Sequence, residues 1–348
     1  MGMVIEITPL QSSTAGRLQG QTDRSPLIAV EDLHVHFQLG RHDVLRAVNG
    51  VSFDVNAGEV FGIIGESGSG KSTVARVLVG LLNPTEGTVL HDGVVLAKLR
   101  SREFRSVRRG YQIVFQDPEG ALNPRMTVLQ SVREPLDIAG VGSSQDRNQA
   151  AMTCLEQVGL GSDFAGRYPH QLSGGQKQRV NIARVLTMQP KLVVCDEAVA
   201  ALDVSIQAEI INLFSELKYR LGLTYVFISH DLNVVAHISD RVAVMYLGRL
   251  VEVSPVEQLL ASPMHPYTQA LLRSRPSPVP ASLREKRQPA LTGEIPNAIS
   301  YPDGCAFQSR CPQATALCAA EVPVWRSAES GHWVACHFAG QNQKTQSK

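Results

Sequence analysis

The nine residues GESGSGKST, 65–73, limit what this chain can fold into more than any other stretch. They fit the spacing G-x-x-x-x-G-K-[ST]. They follow an apolar run, VFGII (60–64), and open a segment of helical pattern near Ser72, the setting this spacing requires. Gly65, Gly68 and Gly70 let the backbone curl so that several N–H groups converge on one anion. The helix that follows adds its positive N-terminal end. Lys71 is then placed to reach β- and γ-phosphates, and the Ser72 hydroxyl to ligate Mg²⁺. By itself the loop implies a nucleoside triphosphate and no particular reaction. A glycine-rich turn without a ligand is the alternative, and Lys71-Ser72 after the last glycine counts against it.

Apolar runs elsewhere give the surrounding fold. VFGII, LVVC (192–195), YVFI (225–228) and VAVM (242–245) are short and unbroken, as suits strands buried on both faces of a parallel α/β sheet. Helices are expected between them, over residues 72–79, 178–188 and 206–219. The chain opens differently. Leu33, Val35 and Phe37 alternate with His34, His36 and Gln38, and residues 51–55 fit a second strand. TVLHDGVVL (88–96) is expected to turn back at Asp92-Gly93, a pair suited to a tight primed turn. Residues 117–171 carry a mainly helical pattern around a polar loop at 140–149, the mark of a separate helical lobe. RSRPSPVPASLREKRQPA (273–290) has the composition of an extended linker.

With 348 residues, 43% of them apolar, the chain can hold two domains or one domain with a large appendix. Lys plus Arg number 33 and Asp plus Glu 32, so there is no basic excess of the kind that accompanies nucleic-acid binding. No apolar run approaches the ~18 residues that span a bilayer. The polar residues 1–26 lack the basic and apolar regions of a secretory signal and are expected to form a flexible tail. A membrane role must therefore come through a partner.

Three further stretches carry chemistry. KLVVCDE (191–197) ends an apolar strand in two carboxylates: Asp196 is placed to hold Mg²⁺, and Glu197 to polarise a water for in-line attack on the γ-phosphate. QLSGGQKQR (171–179) precedes a helix. Ser173 and Gln176 fit a capping box, while the bare backbone of Gly174 and Gly175 suits close approach to an anion. His230 ends the strand YVFISH; a lone histidine there is more often structural than catalytic, and its place in the order of the chain gives it weight.

That order resembles the ATP-binding cassette ATPases. GESGSGKST resembles their Walker A, LVVCDE their Walker B and LSGGQ their signature. Gln116 in IVFQDP resembles their Q-loop, His230 their switch histidine, and Ala201-Leu202-Asp203 their D-loop. Phe37 stands where an aromatic ring stacks on adenine. The resemblance implies an α/β P-loop NTPase (RecA-like) core over residues 27–260, with an antiparallel β subdomain and a helical subdomain at about 117–171. It implies ATP and Mg²⁺ as ligands: Phe37, Gly65, Ser67, Gly68, Ser69, Gly70, Lys71, Ser72, Thr73 and Gln116 around ATP, and Ser72, Gln116 and Asp196 around the metal. Glu197 and His230 are implied to be catalytic. Two cassettes would pair head to tail, so that Ser173, Gly174, Gly175, Gln176 and Asp203 act across the interface. Two departures stand beside Glu197. Ala198 replaces the usual Pro and Ala200 the usual Ser; no charged group is lost, and hydrolysis is expected to survive.

DPEGALNPRMTV (117–128), HPYTQALL (265–272) and GCAFQSRCP with two later cysteines narrow the resemblance to ATPases of oligopeptide and dipeptide importers, closest to the second ATPase subunit. This implies a heterodimer with a sister cassette, two permease subunits and an extracytoplasmic solute-binding protein. It also implies a peripheral position on the cytoplasmic face of the cell membrane. Related importers carry nickel or glutathione, so cargo stays open. A soluble cassette ATPase of DNA repair or translation, and a metal- or redox-sensing regulator, are the competing classes. Residues 261–340 form the importer-type extension, ahead of a polar tail at 341–348. Its Cys305, Cys311, Cys318 and Cys336 are spaced C-x5-C-x6-C-x17-C. Reducing cytosol disfavours disulfides, and four thiolates suit Zn²⁺ or an iron–sulfur cluster. The importer resemblance favours [4Fe–4S]. From Leu291 on, large apolar residues are few. A structural metal, supplying on the order of 10 kcal/mol of apparent folding energy in the zinc case, is expected to hold this part together.

Overall fold

The computed structural model describes residues 25–41, 43–274, 296, 298–299, 301–329 and 331–339. The tail before residue 25, most of the Pro-rich stretch, Leu291 and the segment 341–348 lie outside the described residues.

The chain opens with β1 (Ile28–Gln38) and β2 (Val44–Val55), paired antiparallel, then β3 (Val60–Ile64) and α1 (Lys71–Leu78). β4 (Glu86–His91) and β5 (Val94–Val95) close a four-stranded antiparallel sheet in the order β2-β1-β4-β5. The expected hairpin is present: Asp92 (φ +50°) and Gly93 (φ +77°) are both left-handed, as a two-residue primed turn requires. After α2 (Ser101–Arg108) and β6 (Tyr111–Val114) come the helices of the lobe, α3 (Val128–Ala139) and α4 (Ser144–Gln157). α5 (Gly174–Leu186), β7 (Leu192–Asp196), α6 (Val204–Leu221), β8 (Thr224–Ser229), α7 (Leu232–Ile238), β9 (Arg241–Tyr246) and β10 (Arg249–Pro255) complete the cassette.

Strands β9-β3-β8-β7-β6 form a parallel sheet, with β10 antiparallel on its β9 edge. All residues of β3, β7 and β8 are buried. The reason is the alternation of faces along a strand. Phe61 and Ile63 point into a core shared with α1 and the antiparallel sheet, while Val60 and Ile64 point into a core shared with α3–α6. Reciprocal capping boxes start three helices: Thr127 with Gln130 on α3, Ser143 with Asp146 on α4, and Ser173 with Gln176 on α5.

The C-terminal extension departs from the expected appendix held together by metal alone. After α8 (Val256–Ala261), α9 (Pro266–Arg273) and α10 (Ala316–Ala320), strands β11 (Arg326–Glu329) and β12 (His332–Val334) form a hairpin. β12 pairs antiparallel with β10, so the extension adds two strands to the main sheet. Phe307 is 1% exposed and packs on Tyr246 and Tyr267, with ring centroids 5.2 and 5.4 Å away. A buried ring of this size contributes about 2–3 kcal/mol. The extension thus borrows the core and the sheet edge of the cassette. Its tie to β10 is electrostatic as well: Glu252, wholly buried, accepts from the N–H groups of Met264 (2.7 Å) and His265 (3.0 Å), and lies 2.7 Å from His332 Nε2.

Candidate functional site

The loop between β3 and α1 shows why glycine is needed. A Cβ on Gly65 would collide with the Met245 carbonyl oxygen on β9, and one on Gly70 (φ +102°) with the Ala47 carbonyl oxygen on β2. Neighbouring strands press on the loop from outside, and only bare backbone fits. Lys71, 4% exposed, folds back into the loop, and its Nζ donates to the carbonyls of Gly65 (2.8 Å) and Glu66 (2.9 Å). Ser69 is buried; Ser67 and Gly68 are exposed, and Thr73 N–H donates to the Gly70 carbonyl (3.1 Å). Burial lowers the Lys71 pKa, and the carboxylates of Glu197, Asp196 and Glu66 oppose that shift.

Strand ends deliver the acids to the same place. Ser72 donates its hydroxyl proton to Asp196 Oδ1 at 2.9 Å, joining the start of α1 to the end of β7. Burial raises the Asp196 pKa, and the Ser72 hydrogen bond opposes it. Hard oxygen donors that meet in a mostly buried corner fit Mg²⁺. Glu197 is the first residue past β7 and adopts φ +50°, unusual for a side chain of this kind. Two groups hold its carboxylate. Gln116 Nε2 donates to Oε2 at 2.9 Å, and His230 Nδ1 lies 3.4 Å from Oε1. Lys71, Ser72, Asp196, Glu197, Gln116 and His230, from four segments of the sequence, therefore form one site.

Other expected residues stand apart from it. Phe37 is half-buried on β1, opposite Leu45. Ser173 and Gln176 bond to each other: Ser173 Oγ accepts from Gln176 N–H (3.3 Å), and Gln176 Oε1 accepts from Ser173 N–H (3.0 Å). Gly174 is exposed, whereas Gly175 is buried, and a Cβ on it would lie 2.6 Å from Ile206 Cγ2. Packing against α6 thus explains one of the two glycines. Asp203 sits exposed at the start of α6 with no side-chain cap bond. Ala198, one of the two departures from the family pattern, and Val199, between them, are pinned by glutamines: Gln178 Nε2 donates to the Ala198 carbonyl (2.6 Å) and Gln207 Nε2 to that of Val199 (2.9 Å).

The family profile described as "ABC transporter" matches residues 48–200, and that of "Oligopeptide/dipeptide transporter, C-terminal region" matches residues 251–318. A Bacillus subtilis protein, the oligopeptide transport ATP-binding protein AppF, is 48% identical over 84% of this chain and 90% of its own length. The chain belongs to the ABC transporter ATPases of the oligopeptide/dipeptide type. A Brucella ovis protein named for peptide import ATP binding is 48% identical to this importer ATPase over 90% of this chain and 98% of its own. A dimeric ATP-binding cassette, MJ0796, solved in a post-hydrolysis state with ADP and Pi, superposes with a TM-score of 0.60 at 32% identity. It covers 66% of this chain and 98% of that one. CbiO1 of Clostridium perfringens gives 0.62 at 30% identity, over 69% of this chain and 92% of its own. Membership makes the chain an ATP-hydrolysing subunit that works with membrane permease partners and sits peripherally at the membrane. No helix among the described residues is long and apolar enough to cross a bilayer.

The four cysteines of the extension are free thiols, Cys318 buried and the other three partly so. The Cys305 N–H donates to the Cys318 carbonyl at 2.8 Å. Burial pushes the Cys305 thiol up to about 11, and Cys318, Cys336 and Cys311 all act on it electrostatically. Three sulfurs take a backbone hydrogen bond from two residues downstream: Cys305 from Phe307, Cys311 from Gln313 and Cys336 from Phe338. Yet among the described residues no group of three or more His, Cys, Asp or Glu is arranged to hold a metal ion. The expected metal centre, [4Fe–4S] or Zn²⁺, is therefore not seen as a formed site among the described residues, although the four thiols act on one another.

Proposed function

We propose that this chain is the ATPase of an importer for oligopeptides or dipeptides. It acts as a heterodimer with a sister cassette on two permease subunits, at the cytoplasmic face of the membrane, supplied by an extracytoplasmic solute-binding protein. The convergence of Lys71, the Ser72–Asp196 pair and the Gln116–Glu197–His230 cluster carries the ATPase part of this reading. The names of the similar importer subunits support the cargo class.

In this mechanism the loop N–H groups of residues 65–73 and the helix end receive the triphosphate, and Lys71 exchanges its carbonyl partners for phosphate oxygens. Ser72, Asp196 and Gln116 would hold Mg²⁺, which would supply positive charge against the β- and γ-phosphates. Glu197 takes the proton from the attacking water, and His230 and Gln116 hold its carboxylate in place. Phe37 stacks on the base. Ser173, Gly174, Gly175, Gln176 and Asp203 serve the partner's nucleotide. Their exposed members, Ser173, Gly174 and Asp203, stand apart from the cluster in their own chain. Nucleotide held from both sides closes the dimer, and hydrolysis releases it.

We further propose that Cys305, Cys311, Cys318 and Cys336 hold a [4Fe–4S] cluster rather than Zn²⁺. Four thiols that act on one another, three of them with backbone N–H donors on their sulfurs, suit a thiolate-held metal centre, and the resemblance to importer ATPases favours the cluster.

Affinity purification from membranes, followed by ATPase assay of the reconstituted complex, tests the function. Permease subunits should copurify, and short peptides with the binding protein should stimulate hydrolysis. Stimulation by nickel or glutathione and not by peptides would replace the cargo; copurification with ribosomes or DNA alone would overturn the importer reading.

A further inference from the structure

The C-terminal extension reaches the phosphate loop at Glu66. Its carboxylate receives a two-pronged ion pair from Arg310, with Nη1 2.6 Å from Oε2 and Nη2 3.0 Å from Oε1. Its backbone N–H donates to the Tyr267 hydroxyl at 2.9 Å. Its carbonyl accepts from Lys71 Nζ at 2.9 Å. Every polar group of residue 66 is therefore held, and residues of the extension hold two of them from outside the loop. The Arg310 side chain is only 5% exposed, and its Nη1 also lies 3.4 Å from the Tyr246 hydroxyl. Tyr246, Tyr267 and Phe307 pack together, which fixes the Tyr267 hydroxyl and walls in the pair.

We propose that Arg310 and Tyr267 are positioning residues for the phosphate loop, so that the extension sets the chain's affinity for ATP. Lys71 must release the Gly65 and Glu66 carbonyls when it turns to a phosphate. The loop then loses its inner anchor at the moment its N–H groups have to converge on the anion. The outer anchors on Glu66 do not depend on Lys71. They keep the first peptide units of the loop in place, so less ordering remains to be done on binding. A planar guanidinium facing a carboxylate fixes orientation as well as distance, which a lysine would not do.

This inference rests on the assignment of residues 65–73 as the phosphate cradle, and the test separates the two. In the assembled importer, titration with a fluorescent ATP analogue and steady-state ATPase kinetics are measured for Arg310→Gln, Tyr267→Phe and Lys71→Ala. They are also measured for the charge swap of Glu66→Arg with Arg310→Glu. Arg310→Gln should raise both Kd and KM for ATP about tenfold while leaving kcat within about twofold. Tyr267→Phe, which removes one hydroxyl, should shift Kd in the same direction, and it serves if Arg310→Gln does not fold. The charge swap should recover most of the loss. If Arg310→Gln and Tyr267→Phe lower the melting temperature but leave Kd and KM unchanged, the contact is only a staple and the inference falls. If Lys71→Ala itself keeps the original Kd, the cradle assignment falls instead.

Discussion

The buried carboxylate of Glu252 is where the extension can be detached with least disturbance to the ATP site. Glu252→Ala removes the acceptor of the Met264 and His265 N–H groups and the partner of His332; Glu252, His265 and His332 are buried and Met264 partly so. Removing one member of a buried pair costs about 3–5 kcal/mol, because the groups left behind stay desolvated and unpaired. At about 2–4 °C per kcal/mol, the value for domains of roughly 150–250 residues, the melting temperature should fall on the order of 10 °C. Glu252→Gln keeps one acceptor oxygen and should cost about 1–3 kcal/mol. Circular dichroism melting gives the size of the effect, and amide exchange gives its place. Protection should be lost first at residues 332–334 and 264–267, before the parallel strands. A fall under about 3 °C for Glu252→Ala, or equal falls for Ala and Gln, would refute the view that three donors depend on this carboxylate.

Other outcomes follow from single contacts. Burial holds the His265 imidazole at about 4 against the ordinary 6.5, so the unfolded chain takes up the proton first as pH falls. The stability involved is present above 6.5 and is lost as pH drops through 4. His265→Asn, which offers a side-chain oxygen in place of the Nδ1 acceptor for the Tyr267 N–H, should flatten that part of the decline in melting temperature; parallel declines would contradict the assignment. Gly175→Ala should cost about 1–3 kcal/mol through its clash with Ile206, and Ile206→Ala should relieve it. If turnover stays low after folding is restored, the glycine also serves the partner's nucleotide; restored turnover would limit it to packing. Iron and sulfide should each appear at about four per chain after anaerobic purification. Stoichiometric zinc, or neither metal, would remove the cluster.

Much of this structure was legible in the sequence, because its signals are local. VFGII followed by glycines and Lys71 states a strand, a turn and a helix in neighbouring residues, and Asp92-Gly93 states its own turn. What escaped depends on partners far along the chain. Glu252 alternates with apolar residues as an exposed charge would, and its burial follows from His332, 80 residues away. β11 and β12 are too short to declare themselves, and β12 forms because β10 offers an edge. For the same reason the tail looked too poor in apolar residues to fold without a metal: the core it uses belongs to Tyr246 and Tyr267. Nothing near Glu66 foretells Arg310, 244 residues on. Gly175 shows the converse, since the signature motif was plain while the contact with Ile206 that also requires the glycine was not.

Glu197, held by Gln116 and His230, is proposed to drive hydrolysis of ATP bound at residues 65–73. Single-turnover hydrolysis by Glu197→Gln, measured together with its nucleotide affinity and its assembly state in Mg-ATP, tests this most directly. The expected result is near-normal Kd, hydrolysis slowed by about 10²-fold or more, and an ATP-trapped cassette dimer. Turnover close to that of the unchanged protein would contradict it.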